Sequence, residues 1–376
     1  MIVAGEASGD MYGARLVDEA RQLDPTVAFF GIGGTAMRAV GVDTLVDANK
    51  LAVMGLVEVV SHFRVIARAF TTLKRIIRTT PPDLLILIDY PGFNLRLAAV
   101  AKAAGVPVLY YISPKVWAWR PGRAKKIAAT VNHVAVIFPF EVPIYEKVGV
   151  TVTFVGHPLL EMVMPTMTRA GALDAFNLEG GRVVGLFPGS RRNEITSLLP
   201  VMLETATLLK KRFPDLRFVL PLATSIEPGL VEGLLAGASV EVTVSQGKNY
   251  DVMQVCDAII AASGTVTLEI AMLGIPEVII YKVAPLTYAV GKRLVKVAHV
   301  GIGNIVANER VVPELLQDEA EPVRIAAEVG RYLTDHDYRD GVVAKLRTVR
   351  DRLGTPGASQ RVARLALSMA ATGYGK

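Results

Sequence analysis

The sequence predicts an α/β protein with two doubly wound, Rossmann-like domains and a cleft between them. Short apolar runs rich in Val and Ile alternate with stretches of helical spacing, and a Gly, Ser or Pro turn follows each run. Strands buried on both faces read as continuous apolar runs, so this alternation indicates βα units around parallel sheets. A chain of 376 residues is long enough for two such domains.

Two series of candidate strands set the domain boundaries. We predict domains over residues 1–165 and 166–345, because the segment 162–178 has a loose pattern typical of a linker. Residues 346–376 are predicted to form a helical tail, with the N-terminal domain as one candidate partner. The predicted strands are Met1–Ala4, Val27–Ile32, Leu84–Ile88, Val106–Ile112 and Val134–Ile137, then Val183–Phe187, Leu216–Leu220, Val240–Val244, Ala258–Ala261 and Val278–Tyr281.

Composition excludes several classes of protein. Hydrophobic residues make up 51% of the chain and charged residues 20%, which excludes a disordered, collagen-like or coiled-coil chain. The single Cys256 excludes an internal disulfide and a zinc cluster. The longest stretch without Asp, Glu, Lys or Arg, residues 127–140, is shorter than the roughly 18 to 20 apolar residues that span a bilayer. With no signal-peptide pattern at the N-terminus, we expect a cytosolic protein.

The positive charge is concentrated in the N-terminal half. Residues 50–126 carry 13 Lys and Arg against 3 Asp and Glu, whereas the whole chain has 41 against 35. Such a local excess indicates a surface that faces an anionic partner. Nucleic acid, phospholipid and a phosphorylated substrate all fit this observation.

Two glycine turns in the second domain are candidate phosphate sites. The first contains Gly189, Ser190 and Arg191, where backbone N–H groups at a helix start and a guanidinium favour an anion. The second runs from Ser263 through Gly264 to Thr265, and Glu269 follows where a carboxylate could hold ribose hydroxyls. Each turn alone is also compatible with an ordinary βα connection or a helix N-cap. Two such turns in one domain favour a nucleotide.

The first domain carries candidate site residues after three of its strands. Asp89 ends the buried run Leu85–Ile88, where a carboxylate could accept a proton from a hydroxyl, although a turn or cap role is equally compatible. Trp117 and Trp119 lie among cations, an arrangement that suits a sugar phosphate or a lipid interface, although packing in the core is the commoner use of Trp. The remaining candidates are Glu6, Ser8, Gly9, Asp10, Asn94 and Arg120.

The stretch from Val57 to Ile77 is amphipathic. Its apolar residues recur at helical spacing, a pattern that usually means a core-facing stripe, while basic residues cluster on the opposite side. The alternative is an interfacial helix on an anionic bilayer. The candidate membrane-facing residues are Phe63, Arg64, Arg68, Phe70 and Arg75.

Taken together, these motifs resemble the lipid-A-disaccharide synthase family, inverting glycosyltransferases of lipid A biosynthesis. The matching segments keep the family's order from Gly5 to about Leu316, and the tryptophan segment is the most specific of them. They are Gly5–Asp10, Leu51–Gly55, Ile88–Asn94, Ser113–Arg120, Phe138–Glu141, Phe154–Pro158, Phe187–Arg191 and Ser263–Thr265.

The resemblance implies a glycosyltransferase B-type fold with the acceptor on the N-terminal domain and UDP on the C-terminal one. The implied reaction joins UDP-2,3-diacylglucosamine to 2,3-diacylglucosamine 1-phosphate. Asp89 would be the base and Arg191 would stabilise the diphosphate, with Asn304 as a further nucleotide contact. The chain's only Asp-x-Asp triplet, Asp335–Asp337, lies in a polar stretch, so we expect neither a catalytic metal nor a cofactor. Gly92 stands where some relatives carry a second acidic residue.

Other functions stay open at this point. Another UDP-N-acetylglucosamine enzyme of the same fold, a transferase or a 2-epimerase, would share the glycine turns but not the segment Ser113–Arg120. A non-catalytic peripheral protein that binds nucleotide and anionic lipid would need only the basic helix. A nucleic-acid binder would leave the paired turns without a role, so we expect no nucleic acid. The expected location is the cytoplasmic face of the inner membrane, and a homodimer is compatible with the resemblance.

Overall fold

A parallel sheet organises the N-terminal unit, which comprises Met1–Pro158 and Leu353–Lys376. The computed structural model describes residues 1–48, 56–117, 122–283 and 298–372, and of residues 56–63 the backbone alone. The strands stand in the spatial order β3-β2-β1-β4-β5-β6-β7, and all neighbours pair in parallel. They are β1 (Ile2–Ala4), β2 (Phe30–Gly33), β3 (Asp43–Asp47), β4 (Leu85–Ile88), β5 (Val108–Tyr111), β6 (His133–Val136) and β7 (Thr151–Phe154).

The helices of this unit connect its strands and cover the sheet. The residues of β1, β4, β5 and β6 are buried throughout, as expected for strands covered on both faces. Helix α4 starts at Pro91, whose fixed φ suits the first helical position. The helices are α1 (Ala7–Leu23), α2 (Thr35–Ala39), α3 (Leu56–Thr79), α4 (Pro91–Ala103), α5 (Gly122–Ala128) and α6 (Val142–Glu146).

A second parallel sheet organises the C-terminal unit, Leu159–Arg352. Its strand order is β10-β9-β8-β11-β12-β13. The strands are β8 (Val183–Phe187), β9 (Arg217–Leu222), β10 (Thr243–Gln246), β11 (Ala258–Ala262), β12 (Glu277–Tyr281) and β13 (Glu314–Leu316). The helices are α7 (Arg169–Ala175), α8 (Arg192–Arg212), α9 (Pro228–Leu235), α10 (Asn249–Val255), α11 (Thr265–Met272), α12 (Ile302–Ala307), α13 (Pro322–Thr334) and α14 (His336–Arg352).

Both sheets have the strand order of a doubly wound nucleotide-binding fold, which confirms the predicted fold class. In the first sheet the order reverses between β1 and β4, and in the second between β8 and β11. Ligands of such sheets bind beyond the carboxyl ends of the strands at these reversal points. The loops after these four strands are therefore where functional side chains are expected.

The segment predicted as a linker is folded into the C-terminal unit. The backbone N–H groups of Thr166 and Met167 both donate to Asp251 Oδ1 at 2.7 Å, and the Thr166 hydroxyl donates to Oδ2 at 2.7 Å. Leu178 lies in the hydrophobic core of that unit. The local sequence pattern of this segment shows only its polar and turn-forming residues, so it could not predict these long-range bonds.

The C-terminal helix α15 (Ala358–Thr372) belongs to the N-terminal unit and packs against α1. Arg361 fixes the start of this helix, because its Nε donates to the carbonyl of Val155 at 2.8 Å. The backbone N–H of His157 donates to the carbonyl of Leu353 at 2.9 Å. The chain thus returns to its first unit after completing the second.

Candidate active site

The turn after β4 holds Asp89 in an unusual backbone conformation. Asp89 has φ 45°, the next residue Tyr90 has φ 47°, and Ile112 at the end of the neighbouring β5 has φ 55°. Left-handed backbone costs a non-glycine residue about 1–3 kcal/mol, most of all a β-branched one, and such residues cluster at functional sites. Three such residues follow the neighbouring strands β4 and β5, which indicates a functional site at this edge of the sheet.

A set of buried hydrogen bonds holds this turn. The Asp89 carbonyl accepts from the Tyr110 hydroxyl at 2.7 Å and from Asn94 Nδ2 at 2.7 Å, and the Asp89 N–H donates to the Ile112 carbonyl at 3.2 Å. The Tyr90 ring lies against the backbone of Gly5, where any Cβ would collide with it. All these bonds involve the Asp89 backbone, so none of them occupies its carboxylate.

The environment of the Asp89 carboxylate favours its protonated form. Burial and, to a smaller extent, the negative charge of Glu6 raise its pKa to about 6, against the opposing effects of Lys115 and the Tyr90 N–H. A carboxylate whose pKa lies close to neutrality is suited to accept a proton in catalysis. Asp89 is half-buried, so its carboxylate combines a low-dielectric setting with partial access.

Two predicted acceptor residues hold the backbone in this structure. Asp10 is buried and its carboxylate accepts from the N–H groups of Gly34 at 2.6 Å, Ala36 at 2.9 Å and Met37 at 3.1 Å, so it caps α2. Asn94 is fully buried and donates to the carbonyls of Ile88 and Asp89. The Asp10 carboxylate thus caps α2 and Asn94 supports the Asp89 turn, while their assignment to the acceptor side stays a prediction.

The other predicted acceptor residues differ in accessibility. Glu6 and Ser8 are exposed at the start of α1, whereas Gly9 is buried against Ala4 and Ile88, on the strands that flank the reversal point. Trp117 is half-buried and its Nε1 donates to Glu141 Oε1 at 3.2 Å. Trp119, Arg120 and the motif Leu51–Gly55 lie outside the described residues.

Helix α3 buries its apolar stripe and exposes its basic face. Leu73 and Ile77 are fully buried, and the Phe70 ring packs edge-to-face on Phe93 with centroids 5.5 Å apart. Phe70 is partly buried and packs against the core of the N-terminal unit, and its membrane-facing assignment stays a prediction. The basic residues Arg64, Arg68 and Arg75 are exposed, while the side chain of Phe63 lies outside the described residues.

In the C-terminal unit, the loop after β8 is a glycine turn whose backbone N–H groups bind the Glu194 carboxylate. Gly189 has φ 105° and lies against Glu194, leaving no room for a Cβ. Glu194 Oε2 accepts from the N–H groups of Ser190 at 3.1 Å and Arg191 at 3.2 Å, and Oε1 pairs with the Arg191 guanidinium at 2.9 Å. Glu194, at the third position of α8, thus takes the N–H groups of Ser190 and Arg191, which precede the helix.

The loop after β11 leaves its hydroxyl groups accessible. Helix α11 has Gly264 at its N-cap position, and no side chain caps it. Ser263 is half-buried and Thr265 exposed, and neither hydroxyl bonds to a residue in the described part of the chain. The alternative that one of these hydroxyls is only a helix cap is thereby excluded, which leaves both groups available to a ligand.

Glu269 and Asn304 differ in how much of their polar capacity is used. Glu269 is half-buried, burial raises its pKa, and it accepts a long hydrogen bond of 3.5 Å from the Tyr250 hydroxyl. Asn304 is fully buried: its Nδ2 donates to Val312 and Glu314, and its Oδ1 accepts from Val311 and Val312. Protein groups thus engage both ends of the Asn304 amide, and its assignment as a nucleotide contact stays a prediction.

Two supporting residues were missed by sequence reasoning. Tyr110 lies in a buried strand and reads as core, yet its hydroxyl holds the Asp89 turn. Glu194 reads as a helix-surface charge, yet it organises the Gly189 loop. A capping-box pattern, with a glutamate at the third helical position, was the available signal for Glu194.

Across the described residues, no group of three or more His, Cys, Asp or Glu side chains is arranged to hold a metal ion.

The strand orders define a class of fold, two doubly wound domains of the glycosyltransferase B type. The UDP-GlcNAc 2-epimerase of Neisseria meningitidis bound to UDP-GlcNAc aligns with TM-score 0.67 and 14% identity, covering 98% of this chain and 99% of that chain. The glycotransferase of kitacinnamycin aligns with TM-score 0.63 and 15% identity, covering 98% and 97%. At these identities the likeness concerns the fold alone.

The sequence comparisons identify the family. The family model described as lipid-A-disaccharide synthetase matches residues 1–365. The lipid-A-disaccharide synthase of Geobacter sulfurreducens is 62% identical over 370 residues, covering 98% of this chain and 96% of the relative. That of Coxiella burnetii is 46% identical over 366 residues, covering 97% and 96%. The chain belongs to the lipid-A-disaccharide synthetase family, so the predicted resemblance is confirmed and the chain is a glycosyltransferase.

Proposed function

We propose that this chain transfers a diacylglucosamine unit from UDP-2,3-diacylglucosamine to 2,3-diacylglucosamine 1-phosphate. The products would be the β-1′,6-linked disaccharide 1-phosphate and UDP. Family membership supports the reaction class, and the observation that carries the mechanism is the strained Asp89 turn at the strand reversal of the first sheet. Its carboxylate lies at that edge, and its raised pKa suits a general base.

In this proposal Asp89 accepts the proton of the acceptor 6-hydroxyl as the hydroxyl oxygen attacks the anomeric carbon of the donor. The new carbon–oxygen bond forms as the bond to UDP breaks, and the diphosphate takes the electron pair. One displacement inverts the configuration at that carbon. The raised pKa of Asp89 supports this role, because a base that is too weakly basic could not take the proton.

Arg191 and the loops after β8 and β11 would hold UDP. The Arg191 side chain is 59% exposed, so it can turn from Glu194 to a diphosphate. The N–H groups of the first turns of α8 and α11 have no partners within their helices, which favours bound anions there. The hydroxyls of Ser263 and Thr265 would add contacts, and Glu269 would accept from the ribose hydroxyls.

We further propose that α3 brings the N-terminal unit to an anionic membrane surface. Arg64, Arg68 and Arg75 are exposed and form no ion pair in the described part of the chain. Each basic residue near such a surface contributes roughly 1 kcal/mol, which salt screens. No helix within the described ranges is long and apolar enough to cross a bilayer.

The reaction is tested by mixing the purified protein with both lipid sugars, with and without EDTA. UDP release and the mass of the lipid product are followed together. We expect a disaccharide 1-phosphate in both conditions. UDP release without that product would contradict the acceptor assignment, and a loss of product with EDTA would contradict metal independence.

Membrane association is tested by binding to vesicles that contain anionic lipid at increasing salt. Replacement of Arg64, Arg68 and Arg75 by Ser should weaken binding. A matched control replaces Arg347, Arg350 and Arg364, which are equally exposed but lie on α14 and α15. Equal losses in both triple variants, or binding insensitive to salt, would contradict a specific role of α3.

A further inference from the structure

A buried glutamate next to Trp117 has no part in the proposed reaction. Trp117 follows β5 and Glu141 follows β6. Strand β5 pairs in parallel with β6 on one side and with β4, which leads to Asp89, on the other. The carboxyl ends of the three strands lie at one edge of the sheet. The aromatic neighbours Phe138 and Phe140 complete a group of four residues, which we call the Glu141 cluster.

The geometry of the Glu141 cluster fixes the Trp117 indole. Glu141 is 3% exposed, its Oε1 accepts from Trp117 Nε1 at 3.2 Å, and its Oε2 accepts from the Phe138 N–H at 3.3 Å. The indole meets the Phe140 ring edge-to-face at 5.3 Å, and Phe138 stacks on Phe140 at 5.2 Å. The Trp117 ring is therefore held by one polar and one aromatic contact.

Few charged groups act on Glu141, and burial favours its protonated form. Burial raises its pKa to about 8, although the N–H groups of Phe138 and Ile137, the Trp117 indole and the charge of Lys115 act in the opposite direction. Of the other titratable groups that act in this cluster, burial lowers the pKa of His157 to about 3 and burial raises the pKa of Tyr145. His157 and Tyr145 are thus neutral near pH 7, and Glu141 forms no ion pair with a described residue.

A capping role accounts for one oxygen of this carboxyl group, because Oε2 accepts from the Phe138 N–H at the start of the short 3-10 helix Pro139–Glu141. That role leaves Oε1 unused, and a buried polar atom is costly unless it is hydrogen-bonded. Oε1 is the acceptor that holds the Trp117 N–H at a fixed position. Because Trp117 is only half-buried, the part of its ring that faces outward is presented in one orientation.

We propose that Glu141 is a positioning residue that fixes the Trp117 indole as an apolar wall for the acceptor sugar beside Asp89. This inference rests on the proposed function, since it needs the acceptor to bind at this edge. The charge of Lys115 lowers the pKa of both Asp89 and Glu141, so both carboxyl groups lie within electrostatic range of the same side chain. Glu141 acts through Trp117 and does not touch the reacting atoms.

The first test needs no substrate. The chain has two tryptophans, so a Trp119→Phe background leaves Trp117 as the single indole emitter. In that background the emission should shift with a midpoint near pH 8 as Glu141 ionises, and Glu141→Gln should abolish the shift. Glu146→Gln is the matched control, because Glu146 is exposed on the adjacent α6 and should leave the shift unchanged.

The second test measures acceptor binding in the full-length enzyme. Glu141→Ala should raise the KM for the acceptor about tenfold, equivalent to ~1.4 kcal/mol, and leave the KM for the donor unchanged. Glu141→Gln keeps one acceptor oxygen and should have a smaller effect, which covers the case of an alanine variant that folds poorly. In a Trp117→Ala background, Glu141→Ala should add nothing, because the two residues act as one unit.

The outcomes separate this inference from the proposed function. Emission that does not depend on Glu141 in an enzyme that makes the disaccharide would overturn the inference alone. Additive effects of Glu141→Ala and Trp117→Ala would also overturn it. An enzyme whose Trp117 emission titrates as expected but which makes no disaccharide would overturn the proposed function on which the acceptor role depends.

Discussion

The two strand-reversal edges of this molecule use the same topology for opposite electrostatic tasks. At the edge of the first sheet, Asp89, Tyr90 and Ile112 occupy left-handed backbone conformations, and the acidic groups Asp89 and Glu141 have raised pKa values because of burial. At the edge of the second sheet, the turn after β8 contains Gly189, and the polar groups of its loop are largely exposed.

The proposed function accounts for this difference. A base would need a side chain in a dry setting, which the strained Asp89 turn provides. A diphosphate would need a close approach to backbone and an exposed Arg, which the Gly189 turn provides. We therefore propose proton transfer at the first edge and leaving-group binding at the second.

The largest expected effect concerns Asp89. Asp89→Asn should lower kcat about 10³-fold, because an amide cannot accept the hydroxyl proton. Asp83→Asn, an exposed site in the same unit, should leave kcat unchanged. Steady-state kinetics under saturating donor and acceptor measure both, and an Asp89→Asn enzyme of normal kcat would remove Asp89 as the base.

Asp10 provides the sharpest contrast with Asp89 at the same edge. Asp10→Ala should lower the free energy of unfolding by about 3 kcal/mol, because three backbone N–H groups lose their charged acceptor. Asp18→Ala, exposed on the same helix, should change it by less than about 0.5 kcal/mol. Denaturant unfolding measures this difference, and equal stabilities would refute the capping role.

The pH dependence of turnover tests the environment of Asp89. Because its pKa is raised to about 6 and the base acts when deprotonated, kcat/KM should fall about tenfold per pH unit below 6 and level off above it. Tyr110→Phe removes the hydroxyl that donates to the Asp89 carbonyl, so this variant should keep its fold but hold the Asp89 turn less firmly. A flat profile between pH 5 and 7 would show that a different group limits the reaction.

The smallest expected effect concerns Glu194, whose carboxylate occupies N–H groups of the Gly189 loop. Glu194→Gln keeps a capping side chain but removes a negative charge beside the expected diphosphate, so UDP should bind about threefold more tightly. Glu204→Gln, exposed further along α8, serves as the control. Weaker UDP binding by Glu194→Gln would mean that the carboxylate supports the bound loop.

Much of this arrangement was predictable from local sequence. Buried parallel strands are apolar throughout, so the runs that became β4, β8 and β11 were recognisable, as were the Gly189 and Ser263 turns that follow two of them. The sequence could not show which side chains the protein itself would engage. Asp10 and Asn304 read as ligand contacts, but the Asp10 carboxylate accepts from N–H groups at the start of α2 and the Asn304 amide bonds to the segment that leads into β13.

Helix α3 shows the limit of periodicity. The spacing correctly gave an amphipathic helix, and it could not say what covers the apolar stripe until Phe93 on α4 was placed against Phe70. Edge strands were also misplaced: Val240–Val244 was predicted, and β10 runs from Thr243 to Gln246. Exposed edge strands have a weaker apolar signal than central ones, which explains the shift.

UDP binding to the Asp89→Asn and Arg191→Ala variants tests the division of tasks most directly. Calorimetric titration of each folded variant with UDP gives the two dissociation constants against the unmodified enzyme. We expect an unchanged dissociation constant for Asp89→Asn. Arg191→Ala should bind UDP at least about tenfold more weakly, because it would lose a bidentate phosphate contact. Equal weakening in both variants, or none in Arg191→Ala, would contradict the assignment of proton transfer and diphosphate binding to separate edges.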